Sequence, residues 1–148
     1  MQQFSNRNPA ERRSRVDPVP DLVLNRAAQA PLTDQLSLNI RIRQMRKSHF
    51  GAAPMAGAVW DMMLDLMLAA ANGRTLSASD LATGAGVPLS SGLRMIAAIE
   101  AHGLATRSID ERDRRRTIVH LTDGGREQMA SYFDKVAAML KNGRNAGD

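Results

Sequence analysis

Apolar residues recur at helical spacing in the middle of the chain. Residues 54–72 hold most of them on one wide arc: Val59, Met62, Met63, Leu66, Met67 and Ala70. A helix this apolar belongs at the centre of its fold. Pro54 is typical of a first helical turn, and Asn72-Gly73 is typical of a helix end. The pattern therefore predicts a central helix over residues 54–72 whose methionines pack in the core.

Residues 34–50 fit two patterns. Positions 36, 38, 40 and 42 alternate as in a strand, whereas Leu38, Ile42, Met45 and His49 form one helical stripe. The alternation is lost in the second half of the stretch, so we interpret it as a helix. Its basic residues fit either a solvated face or a surface that contacts DNA: Arg41, Arg43, Arg46 and Lys47.

Two helices joined by a turn are predicted next. Ser77 and Asp80 have the spacing of a capping box, which starts the first helix. Gly84 and Gly86 allow the backbone to turn. A second helix over residues 89–102 follows Pro88 and ends at His102-Gly103. We expect its apolar stripe to face the core: Leu89, Leu93 and Ile96.

Two short β-like runs, 104–109 and 117–121, flank the charged segment 110–116. Val119 and Leu121 are expected on the buried side of the second run. A last helix begins at Thr122-Asp123 and ends at Lys141-Asn142-Gly143. Its inward stripe is predicted to contain Met129, Tyr132 or Phe133, Val136 and Leu140. These elements predict a mainly α fold with a small antiparallel β wing.

The basic residues of the chain are mostly arginine. The net charge is +5, from 17 Arg, 3 Lys and 15 acidic residues. Arginine binds phosphate and guanine through a planar fork that lysine lacks, so the excess favours a polyanionic partner. The absence of cysteine excludes disulfides and cysteine-zinc sites. No secretory or membrane-spanning segment is evident, and we expect a cytoplasmic location.

The two ends of the chain lack a sustained apolar period. Residues 1–33 are rich in proline and arginine and predict a flexible basic arm. Such an arm is either a tail without a role or a segment that touches DNA or a partner subunit. Residues 143–148 are expected to form a loose tail, which leaves residues 34–142 as the folded domain.

The helix over 89–102 carries candidate DNA-binding residues. Opposite its predicted apolar stripe lie Ser90 and Arg94, with Ser91 beside them. Recognition helices read bases with their N-terminal residues. Arg94 suits a bidentate contact with guanine, worth about 1–3 kcal/mol of discrimination. The two serines suit phosphate contacts. Alternatively, Arg94 is an exposed charge paired with a nearby carboxylate.

The charged segment between the two β runs mixes both signs. Its acidic residues are Asp110, Glu111 and Asp113, and its candidate DNA-binding residues are Arg112, Arg114, Arg115 and Arg116. A carboxylate placed among arginines can hold one guanidinium and leave another to enter a minor groove. The alternative is a solvated turn whose ion pairs contribute little.

From Leu76 to Gly125 the chain resembles the winged helix-turn-helix core of MarR-type transcriptional regulators. The residues that carry the resemblance are Leu81-Ala82, Arg94, Ile99-Glu100, Gly103-Leu104, Asp113 with Arg115, and Leu121-Thr122 with Gly125. The resemblance implies that Arg94 faces bases in the major groove and that Asp113 steadies Arg115 as the wing arginine. It also implies a twofold homodimer on double-stranded DNA. Small aromatic acids are effectors of that family, but the sequence assigns no pocket residues.

Three features depart from the family pattern. Pro88 stands where the family usually has a capping Ser or Thr, so the entry to the recognition helix is expected to differ. Gly92 is unusual inside a recognition helix and is expected to weaken it by roughly 1 kcal/mol relative to alanine. The chain also has one helix after the wing where the family commonly has two for dimerisation. The helix at 34–50 would then have to pair with the last helix.

The favoured function is a sequence-specific DNA-binding regulator. The alternative is a winged-helix module that binds protein or serves as an accessory subunit, because a fold does not fix a function. An enzyme is not expected, since no catalytic, cofactor-binding or metal-binding signature is present. The three histidines (His49, His102 and His120) lack metal-ligand spacing.

Overall fold

The computed structural model describes residues 30–145, and side chains through residue 143. The elements are α1 (Leu32–Phe50), α2 (Gly57–Ala71), β1 (Leu76–Ser77), α3 (Ala78–Gly84), α4 (Leu89–Ala101), β2 (Ala105–Ile109), β3 (Thr117–Leu121) and α5 (Asp123–Asn145). The described residues before Ile40 form a separate unit, and the packing below is that of the residues that follow. The mainly α class with a small β wing is confirmed. Most of the predicted arm, up to residue 29, and the last three residues of the predicted tail lie outside the described residues.

The first two helices confirm the helical interpretation of both stretches but not the predicted start of α2. The helix begins at Gly57, three residues after Pro54. The helix starts later than predicted because Met55 is only 4% exposed and packs in the core. Its insertion requires a non-helical connection, and Gly57 continues that turn with φ near +55°. The buried face of α2 holds Val59, Met62, Met63 and Leu66, as the apolar arc indicates. The arc is wrong at its C-terminal end, where Ala70 is exposed, Met67 is half-buried and Ala69 is buried instead.

The capping box at α3 is confirmed in both directions. The Asp80 amide donates to the Ser77 hydroxyl at 3.1 Å, and the Ser77 amide donates to the Asp80 carboxylate at 2.9 Å. Gly86 supplies the turn to α4 with φ of +69°. The Val87 amide then donates to the Ala82 carbonyl at 3.0 Å. These bonds fix the angle at which α4 leaves the turn.

The predicted core-facing stripe of α4 is right at Ile96 and wrong at Leu89 and Leu93. Leu89 and Leu93 are exposed, and the buried residues are Gly92, Ile96 and Ile99. A Cβ on Gly92 would lie 2.7 Å from the Cβ of Ala82, so α3 and α4 cross at this glycine. The close crossing turns Gly92 inward and carries the neighbouring leucine out to solvent. The glycine that departs from the family pattern is therefore a packing requirement.

Three antiparallel strands form the sheet in the order β1-β3-β2. Val119 pairs with Leu76 of β1 on one side and with Arg107 of β2 on the other. Val119 and Leu121 are buried, as predicted. The sequence did not indicate β1, because two residues are too short to show an alternating pattern.

Helix α5 confirms Thr122 as its cap, since the Gly125 amide donates to the Thr122 hydroxyl at 2.9 Å. Met129 and Tyr132 are buried, whereas Phe133 and Leu140 are exposed, so the predicted stripe is wrong at Leu140. The helix also continues to Asn145, past the predicted end at Lys141-Asn142-Gly143. A helix that ends at a glycine needs that residue in the left-handed conformation, and Gly143 does not have a positive φ.

Aromatic rings join α1, α2 and α5. Phe50 lies 5.9 Å from Trp60 and 5.6 Å from Tyr132, measured between ring centroids. His49 holds the same seam with polar contacts. Its Nε2 lies 2.9 Å from the Gln128 carbonyl oxygen, and its Nδ1 lies 3.0 Å from the Lys135 ammonium. A carbonyl only accepts and an ammonium only donates, so the proton sits on Nε2.

Candidate nucleic-acid interface

The outward face of α4 carries the polar residues that the sequence singled out. Ser90 and Arg94 are exposed, and Ser91 is half-buried. The Arg94 guanidinium donates to the Ser91 hydroxyl at 3.4 Å, which favours one direction for the arginine. Ala97 and Ala101 continue the exposed face toward the C-terminus. Small side chains there let a helix approach a flat surface closely.

The only carboxylate on α4 is neutralised by an arginine of β2. Both oxygens of Glu100 accept from the Arg107 guanidinium at 3.2 Å, in a bidentate pair. This hydrogen bonding lowers the pKa of Glu100 and raises the pKa of Arg107. The pair ties the last turn of α4 to the sheet. It also leaves the exposed face of the helix without an unpaired negative charge.

The wing tip, residues 110–116, is an ordered turn. Asp110 and Arg116 close it through a backbone hydrogen bond of 3.0 Å. The Asp110 carboxylate accepts from the Arg112 amide at 2.9 Å, and the Asp113 carboxylate accepts from the Arg115 amide at 3.1 Å. Each bond is an aspartate turn, in which a side chain satisfies the backbone two residues on. Asp110 and Asp113 therefore shape the loop that displays the arginines.

The arginines of the wing tip differ in their partners. Arg115 lies 3.5 Å from Asp113, the pair that the resemblance implies, yet its side chain is 94% exposed. Arg112 and Arg114 are exposed, and within residues 30–143 neither guanidinium has an ion-pair partner. Three guanidinium groups thus project from one short turn. Such a turn can contact phosphates or a narrow groove.

Arg116 connects the wing to the capping box of α3. Its guanidinium lies 3.3 Å from the Asp80 carboxylate and 3.7 Å from that of Asp110. The pKa of Asp80 is lowered, chiefly by the hydrogen bonds from Ser77 and further by Arg116. Sequence reasoning found the capping box but missed this pair, because the two residues are 36 positions apart and no local pattern joins them.

A basic cleft of about 550 Å³ lies between α1 and α5. Its lining residues are Arg41, Gln44, Met45, Ser48, His49, Lys135 and Met139. None of them is acidic. Arg46 does not line this cleft, and its guanidinium lies 4.8 Å above the Trp60 ring, where it makes a cation–π contact.

Among the described residues, no group of His, Asp and Glu side chains is arranged to hold a metal ion. No helix in the described part of the chain has the length and hydropathy that crossing a bilayer requires.

A capped helix, a turn, a second helix and a three-stranded sheet with a protruding hairpin together define the winged helix-turn-helix fold. Solved structures share it. MepR, described as a transcription regulator of the Staphylococcus aureus multidrug efflux pump MepA, superposes with a TM-score of 0.63 at 14% identity, covering 77% of this chain and 78% of its own. The S. aureus MepR–DNA complex gives 0.58 at 18% identity, covering 75% and 90%.

A further solved structure contains a small molecule. NadR in complex with 4-hydroxyphenylacetate superposes with a TM-score of 0.56 at 20% identity, covering 100% of this chain and 87% of that one. No protein-family profile matches the chain. No curated protein sequence matches it significantly either.

Proposed function

We propose that this protein is a MarR-type transcriptional regulator that binds double-stranded DNA in a sequence-specific manner. Helix α4 lies in the major groove, where Arg94 contacts a guanine and Ser90 and Ser91 contact phosphates or base edges. Arg112, Arg114 and Arg115 reach the adjacent minor groove and its phosphates. Arg116 lies at the base of the wing and contributes by holding it against α3.

One observation carries the proposal most directly. The exposed face of α4 and the wing tip both present arginines, while the carboxylates of these two elements are largely engaged within the protein. Glu100 is paired with Arg107, and Asp110 and Asp113 bond to the wing itself. The resulting surface complements a polyanion. The likeness to a regulator solved with DNA supports the same conclusion.

We further propose a homodimer built on α1 and α5. Large apolar side chains stay exposed on these helices, including Ile40, Phe133 and Leu140. Burial against a second copy would remove them from water. A twofold dimer places two α4 helices on half-sites about 34–36 Å apart, or a multiple of that spacing. The binding site should therefore be pseudo-palindromic.

The test is selection of bound duplexes from a random pool, followed by affinity measurements at several salt concentrations. We expect an enriched pseudo-palindrome and a steep loss of affinity with salt, because several phosphates release counterions. Analytical ultracentrifugation of the free protein should show a dimer. Binding without an enriched sequence would favour the accessory-module alternative, and the absence of salt-dependent duplex binding would contradict the proposal.

A small-molecule effector fits the basic cleft between α1 and α5. Arg41 and Lys135 make the cleft suited to a carboxylate. NadR was solved with such an acid, which supports this class of ligand. Titration of small aromatic acids should change the affinity for the selected duplex. The Lys135→Ala variant should lose that response and keep its DNA affinity.

A further inference from the structure

The exposed face of α4 contains two parallel rows of side chains. One row is polar at its N-terminal end, with Ser90 and Arg94. The other is apolar, with Leu89, Leu93 and Ala97 at a spacing of four residues. Leu89 is 47% exposed and Leu93 is 37% exposed. The helix therefore presents a leucine beside each of its outward polar residues.

The outward position of the leucines follows from the packing of the buried face. Gly92, Ile96 and Ile99 fill the space between α4 and the rest of the core. Gly92 lies against Ala82 with no room for a Cβ, so the helix cannot rotate to bury Leu93 in its place. A single exposed leucine is ordinary in soluble proteins. Two exposed leucines on the face that carries Arg94 indicate that this face binds a partner.

The charge of this face indicates the kind of partner that it binds. The six exposed residues of α4 include one arginine and no carboxylate: Leu89, Ser90, Leu93, Arg94, Ala97 and Ala101. The wing arginines add further positive charge, and the pair of Arg107 with Glu100 ties a strand of the wing to this helix. A surface that joins leucines to unpaired guanidinium groups complements a duplex groove better than an apolar protein surface. In the major groove the apolar group on offer is the C5-methyl of thymine.

We propose that Leu93, with Leu89 beside it, contacts thymine methyl groups next to the guanine read by Arg94. Leu93 is thus a specificity-determining residue, and each half-site should contain at least one thymine whose methyl group is required. The inference rests on the proposed DNA-binding function. It adds the chemistry of the bases that the helix selects.

The test replaces thymine by deoxyuridine, which lacks only the methyl group, at each position of the selected duplex in turn. For the full-length protein we expect affinity to fall about fourfold at one thymine per half-site, the effect of exposing one methyl-sized group. Leu93→Ala should bind the thymine duplex more weakly by a similar factor. It should then show no further loss with deoxyuridine. Leu93→Met, which keeps an apolar contact, should retain part of the sensitivity.

A matched control is Leu68→Ala, which removes an exposed leucine from α2 and should leave the thymine sensitivity unchanged. Equal affinity of the wild-type protein for thymine and deoxyuridine at every position would overturn the inference and leave the proposed function intact. Undiminished sensitivity in Leu93→Ala would also overturn it. A wild-type protein that binds no duplex would remove the proposed function, and the inference with it.

Discussion

Helix α4 and the wing are held in place by different forces. The helix is seated by close apolar packing, with Gly92 against Ala82 and with Ile96 and Ile99 in the core. The wing tip is held by aspartate turns and exposed ion pairs, among them Arg116 with Asp80. Close packing leaves little freedom, because a displaced methyl group opens a void or a clash. Exposed ion pairs contribute typically less than about 1 kcal/mol each.

Because of this difference, we expect different substitutions to change the stability of the protein and its affinity for DNA. Changes beneath α4 should alter the free energy of unfolding, whereas changes to Arg112, Arg114 and Arg115 at the wing tip should alter DNA affinity alone. A rigid helix suits base readout, which demands a fixed geometry. A wing secured by exposed charges can adjust to the width of a groove.

The largest expected effect is on packing under the helix. Gly92→Ala should destabilise the protein by about 1–3 kcal/mol, because the added Cβ meets the Ala82 side chain. Alanine would otherwise favour the helix by up to about 1 kcal/mol. The matched control is Gly143→Ala in α5, where nothing lies within 4 Å of the added Cβ. Urea denaturation should show a lower free energy of unfolding for Gly92→Ala and no decrease for Gly143→Ala. Equal stability of both would mean that α3 and α4 do not cross closely.

The second prediction concerns the wing. Arg115→Ala should weaken binding of all duplexes evenly and reduce the slope of log affinity against log salt by about one. The free energy of unfolding should change by less than about 0.5 kcal/mol, because the side chain is almost fully exposed. Arg94→Ala should instead relax the preference for one base pair. If the two variants show the same sequence profile as the wild type, their assigned roles are wrong.

The third prediction concerns the link between the wing and α3. Asp80→Asn and Arg116→Gln should be non-additive in unfolding experiments, with a coupling energy of about 0.2–1 kcal/mol. The coupling should shrink at high salt, because the pair is exposed. The comparable pair of Asp110 with Arg116 is longer, at 3.7 Å, and should couple more weakly. Additive effects would show that the wing does not depend on Arg116.

The smallest expected effect is on pH dependence. The pKa of Asp80 is lower in the folded protein than in the unfolded chain, first because of the Ser77 hydrogen bonds and then because of Arg116. Its contribution to stability is therefore complete above about pH 4 and is lost as the pH falls through the lowered value. Asp80→Asn should flatten the decline in melting temperature as the pH falls below about 4. An unchanged acid profile would argue against the capping carboxylate as its source.

Local patterns predicted much of the fold. The capping box of Ser77 and Asp80, the helix end before Gly103 and the wing between two short strands follow from spacing over a few residues. Local patterns did not predict the orientation of α4. The spacing of Leu89 and Leu93 predicts that they face the core, and only the close crossing at Gly92 shows that they face solvent. The pair of Asp80 with Arg116 was missed because it joins residues distant in sequence, which no local period encodes. The β1 strand was missed because two residues are too few to show an alternating pattern.

Part of the candidate site could likewise be predicted from the local sequence, and part of it could not. Ser90, Arg94 and the wing arginines were proposed as DNA-binding residues from residue type and position, and the structure leaves these side chains exposed or half-exposed. The local sequence did not show which arginines are engaged within the protein. Arg107 and Arg116 pair with carboxylates of α4 and α3, whereas Arg112 and Arg114 have no ion-pair partner among residues 30–143.

The most direct test of the account is to locate α4 and the wing on DNA. The chain has no cysteine, so Ser90→Cys and Arg112→Cys each provide one attachment point for an iron chelate that cleaves DNA nearby. On the selected duplex we predict cleavage from residue 90 within a major groove and from residue 112 in the flanking minor groove, about half a helical turn away. Cleavage from both positions in the same groove, or from neither, would contradict the account.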